Sequence, residues 1–167
     1  MSKVLILNEA DVEQLLTMEE CIGVMEEALA ALARGEVAQP LRSKLMPEGA
    51  GGLLGLMPAY RAPYFGLKEV CVVPGRHVGS VLLHSGETGE LLAIMNAEVI
   101  TAVRTAAVSA VATRLLARAD ASVLAILGTG TQAKRHREAI PLVRPIREIR
   151  MFSRSGGNVA TAEEAIR

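Results

Sequence analysis

Tryptophan is absent from this chain, and phenylalanine and tyrosine are rare: Tyr60, Tyr64, Phe65 and Phe152 are the complete set. So few aromatics build no stacking platform for single-stranded nucleic acid. An excess of one charge is missing too. Eighteen Lys and Arg balance eighteen Asp and Glu, so no net field steers the chain towards a phosphate backbone or an anionic bilayer. Neither nucleic acid nor a membrane is expected as a partner. Cysteine is scarce: Cys21 and Cys71 stand far apart with no CxxC partner, which removes zinc knuckles and dithiol redox motifs. No metal site is expected, and both thiols read as buried apolar fillers in a reducing compartment. The residues from Met1 to Glu9 lack the apolar core of a secretory signal, and no segment approaches the roughly 20 apolar residues of a membrane span. A cytoplasmic protein is expected.

What is present is a chain of 167 residues, 50% hydrophobic, enough to bury a core and too apolar to stay disordered. A short strand is predicted at Val4–Leu7, then a small helix capped by Asn8 and running through Leu16. Thr17-Met-Glu-Glu20 reads as a capping box that starts a second helix. Cys21, Ile22, Met25, Ala28, Leu29 and Leu32 recur at spacings of three and four along it, and Gly35 ends it. From Leu53 to Met95 short runs of Val, Leu and Ile alternate with Pro and Gly punctuation. These predict antiparallel strands at Leu53–Met57, Gly66–Val73, Ser80–Leu83 and Leu91–Met95. An Ala-rich helix follows, from about Val99 to Ala117.

The most informative stretch is Val123-Leu-Ala-Ile-Leu-Gly-Thr-Gly-Thr-Gln-Ala133, a buried-type parallel strand that empties into Gly-x-Gly-x-x-Ala. Gly128 suits the tight turn, Gly130 a close backbone approach to a pyrophosphate, and Ala133 close packing of the next helix on its strand. Phosphates would rest at that helix N-terminus, on unpaired N–H groups and the positive end of the dipole. The helix runs from Gln132 until Pro141 cuts it, a second strand is predicted at Glu148–Phe152, and another helix begins after Gly157. A mononucleotide-binding half needs three strands and two helices, so the unit is expected to be incomplete and the chain a fragment or truncated product. Sites that prefer NAD place Asp or Glu at the end of the second strand. Here Ser153, Arg154 and Ser155 stand there, an arginine between hydroxyls that suits a 2′-phosphate, so NADP(H) is favoured over NAD(H).

Six segments in order, Leu56-Met-Pro-Ala-Tyr60, Gly66-Leu-Lys68, Ser80-Val-Leu-Leu83, Thr88-Gly-Glu-Leu-Leu-Ala-Ile94, Ile100-Thr-Ala-Val-Arg-Thr-Ala-Ala107 and Gly128-Thr-Gly-Thr-Gln-Ala133, resemble the ornithine cyclodeaminase and mu-crystallin family of NAD(P)-dependent enzymes. The resemblance implies an α/β fold: a mostly antiparallel substrate and dimerisation domain over residues 1–120, then an incomplete Rossmann (doubly wound) NAD(P)-binding domain over 121–167. It implies a homodimer and a small amino-acid or imino-acid substrate. Arg42, Lys68 and Arg104 match the cations that gather around the substrate carboxylate, with Lys68 also catalytic. Arg104, Thr105, Gly128, Gly130, Thr131 and Gln132 match positions at the cofactor. Arg forks bind carboxylates bidentately, and Lys68 could exchange a proton with the substrate nitrogen if neighbouring arginines lower its pKa.

Two reactions fit: an ornithine cyclodeaminase with no net redox change, or a reductase of cyclic imines such as Δ1-pyrroline-2-carboxylate, towards which NADP(H) tilts the choice. The family's catalytic aspartate lies downstream of the glycine turn and beyond Arg167, so the alternative is an inactive binding or dimerisation protein. His84-Ser-Gly86 departs from the acidic residue common after that strand. Plainer readings stand beside the functional ones. Arg104 could be a solvated helix charge, Lys68 an edge-strand charge, and Arg42 one of two cations in an unconstrained loop with Lys44. Lys134-Arg-His-Arg137 reads as a solvated face and His136 as exposed, while His77, which the resemblance matches to a position near the cofactor, reads as readily as a turn residue satisfied by the backbone.

Overall fold

Asn8 and Thr17 each start a helix by side-chain capping, and the rest of the N-terminal region follows from them. In the computed structural model, which describes residues 3–49 and 51–153, strand β1 (Leu5–Leu7) runs into helix α1 (Glu9–Leu15). The Asp11 N–H donates to Asn8 Oδ1 at 3.1 Å and the Asn8 N–H to the Asp11 carboxylate at 2.9 Å, a reciprocal capping box. Helix α2 (Met18–Ala33) is capped by a related but different pair: Thr17 Oγ1 accepts the Glu20 N–H at 3.3 Å, and the Thr17 hydroxyl, not its backbone N–H, donates to the Glu20 carboxylate at 2.6 Å. It ends where Gly35 takes a φ of 75°. Gly35 N–H then reaches Leu32 O at 3.1 Å and Glu36 N–H reaches Ala31 O at 2.9 Å, the two bonds of a Schellman turn.

The chain divides into two compact units, Met1–Leu15 with Ala28–Thr101, and Leu16–Glu27 with Ala102–Arg167. The first holds one six-stranded sheet. Its other strands are β2 (Ser43–Leu45), β3 (Leu53–Arg61), β4 (Tyr64–Val73), β5 (Arg76–Ser85) and β6 (Leu91–Asn96), and the order is β1-β6-β5-β4-β3-β2. All neighbours are antiparallel except β1 and β6. The hairpin strands run further than the sequence pattern predicts. Tyr60 and Phe65 are paired across β3 and β4 with ring centroids 4.5 Å apart, and this contact extends both strands to the Ala62–Pro63 turn. Pro58 does not interrupt β3 because it lies between the Ser43–Leu56 pair and the Ala38–Tyr60 bridge, where no ladder bond is required of it. Ser43 and Lys44, expected in a loop, belong instead to edge strand β2.

Strand β6 passes without a loop into helix α3 (Ala97–Leu116), which starts two residues before its predicted onset. Asn96 is the reason: its Oδ1 accepts the N–H groups of Glu98 and Val99 at 3.0 and 3.1 Å, a side-chain N-cap. The helix can begin there because Gly79 in β5 has no side chain. A Cβ on Gly79 would press on the backbone oxygen of Glu69 and lie 3.3 Å from both Val70 Cα and Ala97 Cβ. Val12, Ala31, Ala93, Ala97 and Val99 form the buried core of this unit.

In the second unit the core is built on α3, whose Ala102, Val103, Ala106, Ala107, Ala110 and Val111 are buried together with Cys21 and Ile22. Contrary to the sequence expectation, α3 is long and apolar enough to cross a membrane by length and composition. Its wall of buried alanines is that of a core helix, since small side chains let neighbours approach closely at little entropy cost. Arg144 closes the far end: its guanidinium donates to the carbonyls of Arg114, Ala117 and Arg118 at 2.7, 2.8 and 2.9 Å, satisfying acceptors that a helix C-terminus leaves open. Strand β7 (Val123–Leu127) pairs in parallel with β8 (Glu148–Phe152), with α4 (Thr131–Ala139) between them. At Ile140–Leu142 a single 3-10 turn follows α4, with Pro141 in its first turn. The helix predicted after Gly157 lies outside the described residues.

The glycine contacts predict opposite outcomes for two substitutions. Gly79→Ala should lower stability by about 1–3 kcal/mol, because backbone must move to admit the methyl group. Gly23→Ala, on α2 with nothing within 4 Å of the new atom, should raise it by up to about 1 kcal/mol through helix propensity. Urea midpoints at constant slope measure both.

Candidate functional site

Lys68 occupies the middle of β4, an interior strand with β3 on one side and β5 on the other, so it is not an edge charge. Its register partners are Met57 and Val81. Val81 is two residues from Gly79, so by strand alternation both project to the face on which α3 begins. There Lys68 Nζ donates to Thr101 Oγ1 at 2.6 Å, and the Thr101 hydroxyl donates to Ala97 O at 2.5 Å. Lys68 and Thr101 are both half-buried. Thr101 was not legible as a site residue; only the packing of α3 on the sheet brings it to Lys68.

Arg42 is exposed and directly precedes β2. The ladder of β2 on β3 begins at Ser43, opposite Leu56, so Arg42 stands one residue before it.

The second unit carries the glycine turn. Gly128 ends β7 at a φ of 114°, a conformation that requires glycine, and its N–H donates to Phe152 O at 2.8 Å. That bond ties the ends of β7 and β8 and sets Ser153 next in line. Arg154 and Ser155 lie outside the described residues. Gly130 is the N-cap of α4 and offers no side-chain cap, and a Cβ there would meet nothing within 4 Å. The first turn of α4, with Thr131 and Gln132 exposed, thus starts without a side-chain cap, the kind of helix end that favours an anion. Among the described residues no group of three or more His, Cys, Asp or Glu is placed to hold a metal.

Arg104 is exposed and Thr105 half-buried on α3. The charge of Arg104 reaches buried Cys21: burial pushes the Cys21 thiol up, and the guanidinium partly opposes the rise. Several plainer sequence readings need correction. Cys71 is exposed rather than buried. His77 belongs to β5, opposite Val72, and not to a turn. In Lys134-Arg-His-Arg137, the last three residues are half-buried. Arg135 bonds Glu138 at 2.9 Å, while His136 donates Nδ1–H to Gln132 O at 2.7 Å and shares Nε2 with the Ser109 hydroxyl at 2.9 Å. A histidine four residues after Gln132 was the available signal, and the run of charge around it concealed it.

Comparison with known proteins gives a consistent answer. The sequence profile described as the ornithine cyclodeaminase/mu-crystallin family matches residues 2–167. The ketimine reductase mu-crystallin of Mus musculus is 42% identical over 147 residues, covering 80% of this chain and 47% of that protein. The structure of Thermococcus litoralis Δ1-pyrroline-2-carboxylate reductase in complex with NADH and L-proline superposes with a TM-score of 0.88 at 33% identity, over 98% of this chain and 53% of that one. An archaeal alanine dehydrogenase dimer with bound NAD gives 0.86 at 34% identity, over 96% and 51%. The chain therefore spans about half the length of the relatives it matches.

The two thiols should behave differently. In the folded protein Cys71 should be alkylated readily and Cys21 only in denaturant. A thiol raised by folding adds stability that is complete below the ordinary thiol range, about 8.5, and is lost as pH rises through its folded value. Stability should accordingly fall on the alkaline side, and Cys21→Ala should flatten that fall. Denaturation midpoints across pH, with mass spectrometry of the labelled protein, check both.

Proposed function

Because this chain belongs to the ornithine cyclodeaminase/mu-crystallin family, we propose that it holds the carboxylate grip and the first phosphate-binding turn of a nicotinamide-dependent reductase of cyclic imino acids. The observation that carries this reading is the turn at Gly128 and Gly130, where a positive φ, open space and an uncapped α4 N-terminus suit a pyrophosphate. Gly128, Gly130, Thr131 and Gln132 hold the phosphates. In sequence, β8 is followed by Ser153, Arg154 and Ser155 with no acidic residue among them, a composition that favours NADP(H) over NAD(H). The bound nicotinamide supplies hydride to the substrate C=N carbon.

In this reading Arg42, Lys68 and Arg104 grip the substrate carboxylate, which fixes the imine carbon for hydride transfer. Lys68 is the donor closest in kind to a general acid: its Nζ can pass a proton to the imine nitrogen as the carbon is reduced, leaving a neutral amine on both partners. Arg104 and Thr105 serve the cofactor side of α3. Residues 1–120 act as the substrate and dimerisation part and 121–167 as the cofactor part, in a cytoplasmic homodimer. The names and ligands of the relatives support a small imino-acid or amino-acid substrate.

Fluorescence titration of the chain should show NADPH binding in the micromolar range and NADH binding more weakly, with Gly130→Glu abolishing both by setting a carboxylate against the phosphates. Where a cyclic imine is turned over, Arg104→Ala should lower kcat/KM about ten- to hundredfold, the loss of one charge-assisted bidentate contact, with Tm nearly unchanged. Ammonia release from ornithine without accumulation of reduced cofactor would replace the reductase with a cyclodeaminase. NADPH binding with no turnover of either substrate would leave a binding protein.

A further inference from the structure

We propose that Thr101 is a positioning residue for Lys68, holding the amine in place and in its protonated form at the mouth of the sheet. The inference rests on the reading that Lys68 meets the substrate. A lysine stem has four rotatable bonds, and an ammonium on an open sheet face would sample many positions. Here Nζ is fixed by an oxygen 2.6 Å away on a different element.

The direction of the hydrogen bonds gives Thr101 a chemical role as well as a steric one. Its hydroxyl proton is committed to Ala97 O, four residues back on α3, at 2.5 Å. The oxygen therefore offers its lone pairs to Lys68, and Lys68 must be the donor. An acceptor fixed in this sense favours the charged amine over the neutral one. Threonine suits the position because its branched Cβ restricts the side chain in a helix and its hydroxyl can bond the preceding turn. The oxygen stands over Lys68 because Asn96 starts α3 at Ala97 and Gly79 lets Ala97 sit against β5. Thr101 follows Ala97 by one helical turn.

The chain has only four lysines, Lys3, Lys44, Lys68 and Lys134, so the side-chain amines of isotopically labelled protein can be titrated individually by NMR, with Lys68→Arg identifying the Lys68 signal. In Thr101→Val the Lys68 midpoint should shift to lower pH while the other three stay in place, and Thr101→Ser should return it towards the parent value. If Thr101→Val does not fold, Thr101→Ala tests the same hydroxyl. A folded Thr101→Val or Thr101→Ala variant with an unmoved Lys68 midpoint overturns the inference, as does Thr101→Ser failing to restore it. Imine turnover separates this from the functional reading. Loss of the hydroxyl should move the alkaline limb of kcat to lower pH with KM less affected. A shifted Lys68 midpoint with Lys68→Met leaving turnover intact would sink the role of Lys68 in the reaction and leave the positioning contact standing. An unshifted midpoint with Lys68→Met inactive would do the reverse.

Discussion

Helix α3 can rest on the sheet only where β5 has no side chain, and that close approach at Gly79 governs much of what the first unit does. Ala97 sits 3.3 Å from where a Gly79 Cβ would be. One turn later Thr101 is brought within 2.6 Å of Lys68 Nζ. A side chain at position 79 would raise the helix start, and the lysine would lose its fixed acceptor. The constraint is steric, and its consequence is a hydrogen bond: the distance between a strand and a helix decides whether the Thr101 hydroxyl reaches the Lys68 amine.

Helix α3 contributes to both units without changing its character. Its first turn is capped by Asn96, and Thr101, one turn on from Ala97, makes the contact to Lys68. The remainder supplies Ala106, Ala107 and Ala110, all fully buried, to the second unit. Alanine costs no side-chain entropy on burial, so a helix of this composition makes a close-packed core with little bulk. Its last carbonyls are bonded by Arg144, a planar fork with enough donors for several acceptors. A lysine there would offer charge without the same geometry.

Around the glycine turn, the charges that the sequence displays as a surface run are largely used internally. Arg135 engages Glu138 and His136 joins Gln132 to Ser109, which stiffens α4 behind its open N-terminus. The first-turn N–H groups of α4 follow Gly130, which supplies no side-chain cap. This is the arrangement expected where a ligand, rather than the protein, completes the helix start.

The sequence alone determined the local devices, because each depends on neighbours in the chain. The caps at Asn8 and Thr17, the stop at Gly35, the strand from Val123 to Leu127 and the turn at Gly128 and Gly130 could all be read from spacing. So could the second strand at Glu148–Phe152. Lys68 and Arg104 emerged from motifs whose order matches a family. Tertiary structure decided what spacing cannot encode. The strands lengthened through cross-strand contacts such as Tyr60 with Phe65, and Ser43–Leu45 became an edge strand by pairing with β3. Lys68 proved interior because sheet order, not local pattern, sets which strand is an edge. Thr101 and His136 acquired roles only when α3 met β4 and α4, since a hydrogen bond between residues 33 or 27 positions apart depends on packing that no short window of sequence contains.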